Sequence, residues 1–391
     1  MRICLLLIVL SLIISCKSNT NEISLLTDDP FIYDAVLLYN GSKSATRIKA
    51  VLIKSNETLF SASSQKNIDS YDIIAGSFFP NNDFSFDRFS RIKITTEDSL
   101  YFKFIYDFYE YTNQKSIIYK AEAPVIITNK SNTKVNQTMT FDEFKTECDK
   151  ETTLYRNNGI NNKFAFIPQL STLSELDFYT MNSDIFIKNE KEKEIFNSNV
   201  LNQNFNYYTN FNDSEIDPLI IHKAINKYSR DPSKYFLERN LLTYDLTYLS
   251  TSMLSNKYRL IFLKNHNTAS LKQSVITINN KSKYKNYSEN FIDFVLSEET
   301  QNKLFLESVK RKSVYNTIFI PVITKNNQIM SNSFKNGTEI FNYIQNLKYC
   351  NFGNNKNRKK FFKIFNTASD MIDKERLKKK DFINFIEKNL N

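Results

Sequence analysis

Few residues in this 391-residue chain could do covalent or metal chemistry. Two histidines, His222 and His266, and cysteines at 4, 16, 148 and 350 offer no closely spaced ligand set, so neither a zinc site nor any other cofactor is expected. Glycines stand at 41, 76, 159, 337 and 353 only, so a GxGxxG turn, a P-loop and a GxSxG elbow cannot be written anywhere. Acid pairs such as Asp28 and Asp29 are adjacent, and neighbours on a strand point to opposite faces rather than across one substrate bond. The expectation is a protein that binds, not an enzyme. One cysteine stands apart. Arg2 precedes an apolar run from Ile3 to Leu10 and Leu12 to Ile14 that ends at Ser15-Cys16, the layout of a secretory signal. That run is about 12 residues, against the roughly 20 that a helix needs to span a bilayer core.

Leu12-Ile13-Ile14-Ser15-Cys16 resembles the lipobox of bacterial lipoproteins. The resemblance implies that residues 1–15 are a signal peptide and that Cys16 becomes diacylated and amino-terminal. Residues 16–22 then read as a polar tether, since Lys17-Ser18-Asn19-Thr20-Asn21 carries no apolar anchor. The expected location is the cell envelope, on the periplasmic face of the cytoplasmic membrane, with the outer surface as the alternative.

Composition bounds the rest. Hydrophobic content of 41% and aromatic content of 14% exclude a disordered chain, and the length suits two or three domains or one large two-lobed fold. The formal charge of +10 could draw an anionic partner, but the bases are scattered and nucleic acid is not expected. Lysines and arginines between residues 356 and 380 interleave with apolar residues at helical spacing, as on the wet face of terminal helices. Cys148 and Cys350 could pair in an oxidising envelope, although no spacing argument makes them neighbours.

The elements that must position any site follow an α/β pattern. Glu22 to Thr27 reads as a strand, Asp28-Asp29-Pro30 as a loop, and Phe31, Ala35 and Leu38 as the apolar face of a helix. Further strands are predicted over 47–53, 72–77, 123–129 and 164–167. Helices are predicted over 99–109, from Thr140, over 217–228, over 290–309 and, as a pair, over 361–390. Thr140 with Glu143 three residues later spells a capping box. Residues 185–212 read as a polar surface insertion.

Several of these segments together resemble the extracellular solute-binding proteins of ABC importers, in the family with maltose- and other sugar-binding members. Asp72-Ile-Ile-Ala-Gly76 resembles that family's strand at the cleft rim, and Ala123-Pro-Val-Ile-Ile-Thr-Asn-Lys130 its crossover between lobes. Thr140-Phe-Asp-Glu-Phe144 resembles its "TWDEL" helix start, and residues 239–248 resemble "GKAAMTINGPW". Asn290 to Gln301 follows "AWKFIKFLTSPEAQ", and residues 361–390 resemble the closing helix pair. The glycines of "GKAAMTINGPW" are missing and no Trp exists.

The resemblance implies a two-lobed α/β fold of the periplasmic-binding-protein type (type II), with hinge strands and carboxyl-terminal helices. Lobe I would be 23–122 plus 272–319, and lobe II 123–271 plus 320–391. Such a protein captures a small solute, a sugar by family analogy, and works as a monomer with an ABC permease. A degenerate fold acting as a surface lipoprotein or adhesin is the alternative that the missing glycines and Trp suggest. Ligand contacts are expected at carboxyl ends of strands. These are Thr27, Asp28, Asp29, Gly76, Ser77 and Phe78 in lobe I, and Gln169, Ser171, Asp245 and Tyr248 in lobe II. Asp245 and Tyr248 stand where the family pattern has the Asn and Trp of "NGPW". Five of the ten have a plainer reading: Asp28 and Asp29 as helix caps, Ser77 and Phe78 as turn residues, Tyr248 as core.

Overall fold

The computed structural model describes residues 21–42, 46–53, 59–60, 68–78, 84–94, 103–121, 124–128, 138–159, 165–166, 186–188, 194–199, 201–202, 244–248, 259–263, 273–310, 342–343, 360–361, 363–365, 367–368, 371 and 376–390. Cys16, Gln169, Ser171, Cys350 and the helix expected over 217–228 lie outside these residues.

Strands β1 (Asn21–Thr27), β2 (Thr46–Leu52), β3 (Ile73–Phe78), β4 (Ser116–Ala121) and β11 (Gln273–Ile278) form one five-stranded sheet in the order β2-β1-β3-β11-β4. β1 runs parallel to β2 and β3, while β11 runs antiparallel to both β3 and β4. The apolar run that identifies β3 in the sequence, and β11 beside it, which the sequence reading does not contain, are buried on both faces, as a central strand requires. Helices α1 (Pro30–Gly41), α4 (Lys285–Leu296) and α5 (Glu298–Lys310) cover one face. There Tyr39 meets Phe291 and Phe294 edge-on, at ring separations of 5.3 and 5.2 Å. On the other face Phe60, Phe78, Phe84, Phe86 and Phe89 pack with Phe108 of α2 (Lys103–Tyr111), mostly at tilted or edge-to-face angles that suit the ring quadrupoles.

Strands β5 (Pro124–Thr128), β6 (Thr138–Met139), β9 (Tyr244–Tyr248) and β10 (Arg259–Leu263) form a second sheet, in the order β6-β10-β5-β9. Helix α3 (Phe141–Asn157) follows β6, and both bonds of the capping box expected at Thr140 are present. The remaining elements are a hairpin, β7 (Phe186–Lys188) with β8 (Glu194–Phe196), and the terminal helix α6 (Phe382–Leu390).

Four expectations change. The strand read over 164–167 is absent at its described residues, since Ala165 and Phe166 are buried but stand in a bend and irregular backbone. The single helix read over 290–309 is two, because Ser297 turns extended (ψ 145°). Its N–H closes α4 on Phe294 O, while its hydroxyl accepts from Thr300 N and its carbonyl from Gln301 N, opening α5. Part of the surface insertion is inside: Leu201 is buried, and the Phe196 ring lies 5.3 Å from that of Phe361. Asp245 and Tyr248, expected beyond a strand's end, belong to β9 itself, paired with Ile127 and Pro124. The Tyr-Asp-Leu-Thr-Tyr sequence, rich in residues that suit a pleated surface, extends the strand through both. Among the described residues no helix is long and apolar enough to cross a membrane.

Candidate ligand-binding site

The carboxyl ends of β1, β2, β3 and β4 and the first residue of β11 share one edge of the first sheet. In an open α/β sheet this is the edge where ligands collect. Six of the expected contact residues, Thr27, Asp28, Asp29, Gly76, Ser77 and Phe78, lie along it.

Asp29 is the N-cap of α1. Its Oδ1 accepts from Phe31 N at 3.0 Å, and Pro30 follows at the position where a helix needs no N–H. Its Oδ2 accepts from Tyr119 Oη at 2.8 Å and lies 2.8 Å from Lys120 Nζ. Thr27 braces the turn by accepting from Asp29 N at 3.0 Å. Tyr119 and Lys120 are neighbours on β4 and would ordinarily point to opposite faces. A bulge brings them together: Ser274 pairs with Lys120 and Val275 with Ile118, leaving Tyr119 as the extra residue. The Tyr119 ring is fully buried and stacks on Phe31 at 5.8 Å. Burial, with the carboxylates of Asp29 and Asp28 nearby, holds its phenol well above the usual range, so it stays a donor.

Asp28 turns the other way. Its Oδ1 accepts from Ser77 N at 3.0 Å, tying the end of β1 to β3. Gly76 is required at this contact, because a Cβ there would overlap the Asp28 carboxyl group. Burial pushes the Asp28 carboxyl up to about 6; the Ser77 N–H opposes this, the Asp29 charge adds to it, and Lys120 and the Leu59 N–H also oppose it.

The structure therefore divides the expected residues. Asp28 and Ser77 are partly exposed on the edge, whereas Thr27, Asp29 and Phe78 are buried and occupied with internal contacts. Phe78 packs against Phe60, Phe86 and Phe108. Asp245 and Tyr248 are in the second sheet. Sequence reasoning missed Tyr119, Lys120, Gln273 and Ser274; the only local signal was a lysine ending the apolar run 116–120 just before Pro124. Among the described residues no group of acidic, histidine or cysteine side chains could hold a metal. Cys148 is a buried free thiol whose pKa burial raises far above the usual range, which leaves it unreactive.

A five-stranded sheet covered by helices and a second, four-stranded sheet make up the two-lobed α/β fold of periplasmic binding proteins, and solved structures match it over nearly the full length. An ABC substrate-binding protein from Listeria monocytogenes in complex with cycloalternan superposes with a TM-score of 0.64 at 14% identity, covering 95% of this chain and 98% of that one. An extracellular solute-binding protein of family 1 from Alicyclobacillus acidocaldarius gives 0.60 at 11% identity, covering 95% and 98%. An ABC transporter solute-binding protein from Agrobacterium vitis with bound D-mannitol gives 0.61 at 9% identity, covering 95% and 97%. No protein-family model matches the chain, and no curated protein matches its sequence. What these matches share with the chain is the fold, at sequence identities of 9–14%.

Proposed function

We propose that this protein is the lipid-anchored, solute-capturing component of an ABC importer, taking a sugar or polyol between its two lobes. The observation that carries the reading is the full-length match to solute-binding folds, combined with a polar, partly exposed carboxylate edge where such folds place ligand. Lobe I is taken as 23–122 plus 272–319, and lobe II as 123–271 plus 320–391. Asp28 and Ser77 offer an acceptor and a hydroxyl to a polyhydroxylated ligand. Gln169, Ser171, Asp245 and Tyr248 are the proposed contacts from lobe II. Thr27, Asp29, Gly76 and Phe78 act behind them, holding the edge in shape. Aromatic stacking against a sugar face would fall to Tyr or Phe, since the chain has no Trp. Cys16 carries the lipid, and the tether between it and β1, shorter than the 16–22 expected because Asn21 and Glu22 are in the strand, keeps a monomeric receptor within reach of its permease at the membrane.

Isothermal titration against linear and cyclic maltodextrins, cycloalternan and D-mannitol tests the proposal. Micromolar or tighter binding of one class, weakened at least about tenfold by Asp28→Ala through loss of a hydrogen bond to a charged group, is the expected result. Absence of binding or thermal stabilisation with sugars, polyols, oligopeptides and anions alike would overturn it.

A further inference from the structure

Gln273 opens β11, the strand by which the chain returns to the first sheet after β10. It pairs with Phe78 on one side and with Ala121 on the other. Ala121 ends β4, and Pro124 opens β5 of the second sheet three residues later. One rung therefore holds the last residue before the outgoing crossing and the first after the return.

The Gln273 side chain at this rung is fully buried, and neither Oε1 nor Nε2 has a hydrogen-bond partner among the described residues. A glutamine amide carries two donors and a two-lone-pair acceptor, and enclosing all of them unpaired opposes folding. Gln301, the other buried glutamine among the described residues, at least donates from Nε2 to Val295 O at 2.6 Å. Ser274 beside it is engaged by Tyr119. Ser90 Oγ is also buried without a partner, but it is a single hydroxyl, away from the crossing; among the described residues only Gln273 leaves a whole amide unpaired, and it stands where the two sheets are joined.

In a two-lobed protein the joining segments absorb the rotation between lobes. A group that is unpaired in one arrangement and paired in the other biases the equilibrium by the difference. We propose that Gln273 is a positioning residue for lobe movement: its amide finds its hydrogen bonds in a second arrangement of the lobes, and so weights the equilibrium away from the arrangement described here. A methionine or leucine of similar volume would fill the same space without that bias. The inference rests on the two-lobed fold and not on any particular solute.

Single-molecule energy transfer between dyes on noncanonical amino acids at the exposed positions 37 and 154, without added solute, provides the test. The wild-type chain is expected to show two distance populations. Gln273→Met should deplete one of them about fivefold, the worth of roughly one neutral hydrogen bond, and raise the melting temperature; Gln273→Leu should act alike and stands in if the methionine variant does not fold. Gln301→Met is the control and should leave the distances unchanged. Distance distributions identical in wild type and both Gln273 variants would overturn the proposal, whatever happens to the melting temperature. That result would make the amide an ordinary burial cost or the partner of an enclosed water. A sugar titration that failed while the distances shifted would count against the proposed function and leave this inference standing.

Discussion

Helices α1 and α3 each begin immediately after a strand and each is capped by a side chain that the sequence announces, yet the two caps belong to different orders of structure. At α3, Thr140 Oγ1 accepts from Glu143 N at 3.2 Å and Glu143 Oε2 accepts from Thr140 N at 2.7 Å, all within four residues and open to solvent. At α1, the Asp29 carboxylate caps the helix with one oxygen and holds Tyr119 and Lys120, some ninety residues away, with the other. The first cap decides where a helix starts. The second decides where a helix starts and also fixes the end of the strand that leads to the other sheet. Burial sets the difference in weight, since the Asp29 and Lys120 side chains are only 3% and 12% exposed.

The sharpest way to break the contrast is at Asp29. Asp29→Ala leaves Lys120 as a nearly buried cation without its carboxylate, the Tyr119 hydroxyl without that acceptor, and Phe31 N without its cap. Removing one partner of a buried ion pair costs about 3–5 kcal/mol, and urea unfolding should show a loss in that range. Lys120→Met in the Asp29→Ala background should recover part of it, because two apolar replacements leave no stranded charge. A loss under about 1 kcal/mol would equate this cap with an ordinary surface one.

Asp28 supplies the second test, through pH. Its carboxyl titrates near 6 in the folded protein against an ordinary value of 3.8, so the folded chain holds this proton more tightly than the unfolded chain does. The stability contributed by protonated Asp28 is fully present below about pH 4 and is lost as pH rises through about 6. By linkage it amounts to about 3 kcal/mol at most. Asp28→Asn keeps an acceptor for Ser77 N without the buried charge. Denaturant unfolding at pH 5.0 and pH 7.5 should therefore show the variant more stable than wild type at the higher pH, with the gap narrowing at the lower. An identical pH slope in both proteins would assign the effect to other carboxylates.

What could be read in the sequence divides along the same line. The ends of β1, β2, β3 and β5 are legible within a residue or two, because apolar runs bounded by Asp-Asp-Pro, by charged residues or by a proline are local signals, although Gly76, Ser77 and Phe78, read as a turn, belong to β3 itself. The Thr140 box was equally local and came out bond for bond. At Asp28-Asp29 both readings stood open, and the structure assigns them separately: Asp29 caps the helix while Asp28 reaches across to β3. The Tyr119-Lys120 bulge could not have been read, since it exists only in the register between β4 and β11, strands more than 150 residues apart in the chain. Ser297 gave a misleading signal for the opposite reason. The apolar periodicity continues on both sides of it, and one residue's change to extended ψ is invisible to a pattern averaged over two turns.

The smallest expected effect is at Thr140, and it measures how far a purely local cap reaches. Thr140→Ala deletes the acceptor for Glu143 N and leaves the Glu143 side chain able to reach back to the residue 140 N–H, so half of the box survives. N-cap replacements of this kind cost about 1 kcal/mol, with no buried charge to enlarge the figure. Unfolding midpoints for Thr140→Ala and Thr140→Ser, the latter restoring the hydroxyl and thus the stability, would check this. Because no partner of Thr140 in the box lies beyond α3, adding Thr140→Ala to Asp29→Ala should give a simple sum. A sum that fails would mean that the two helix starts share a load, and the division drawn here between a local and a long-range cap would have to be given up.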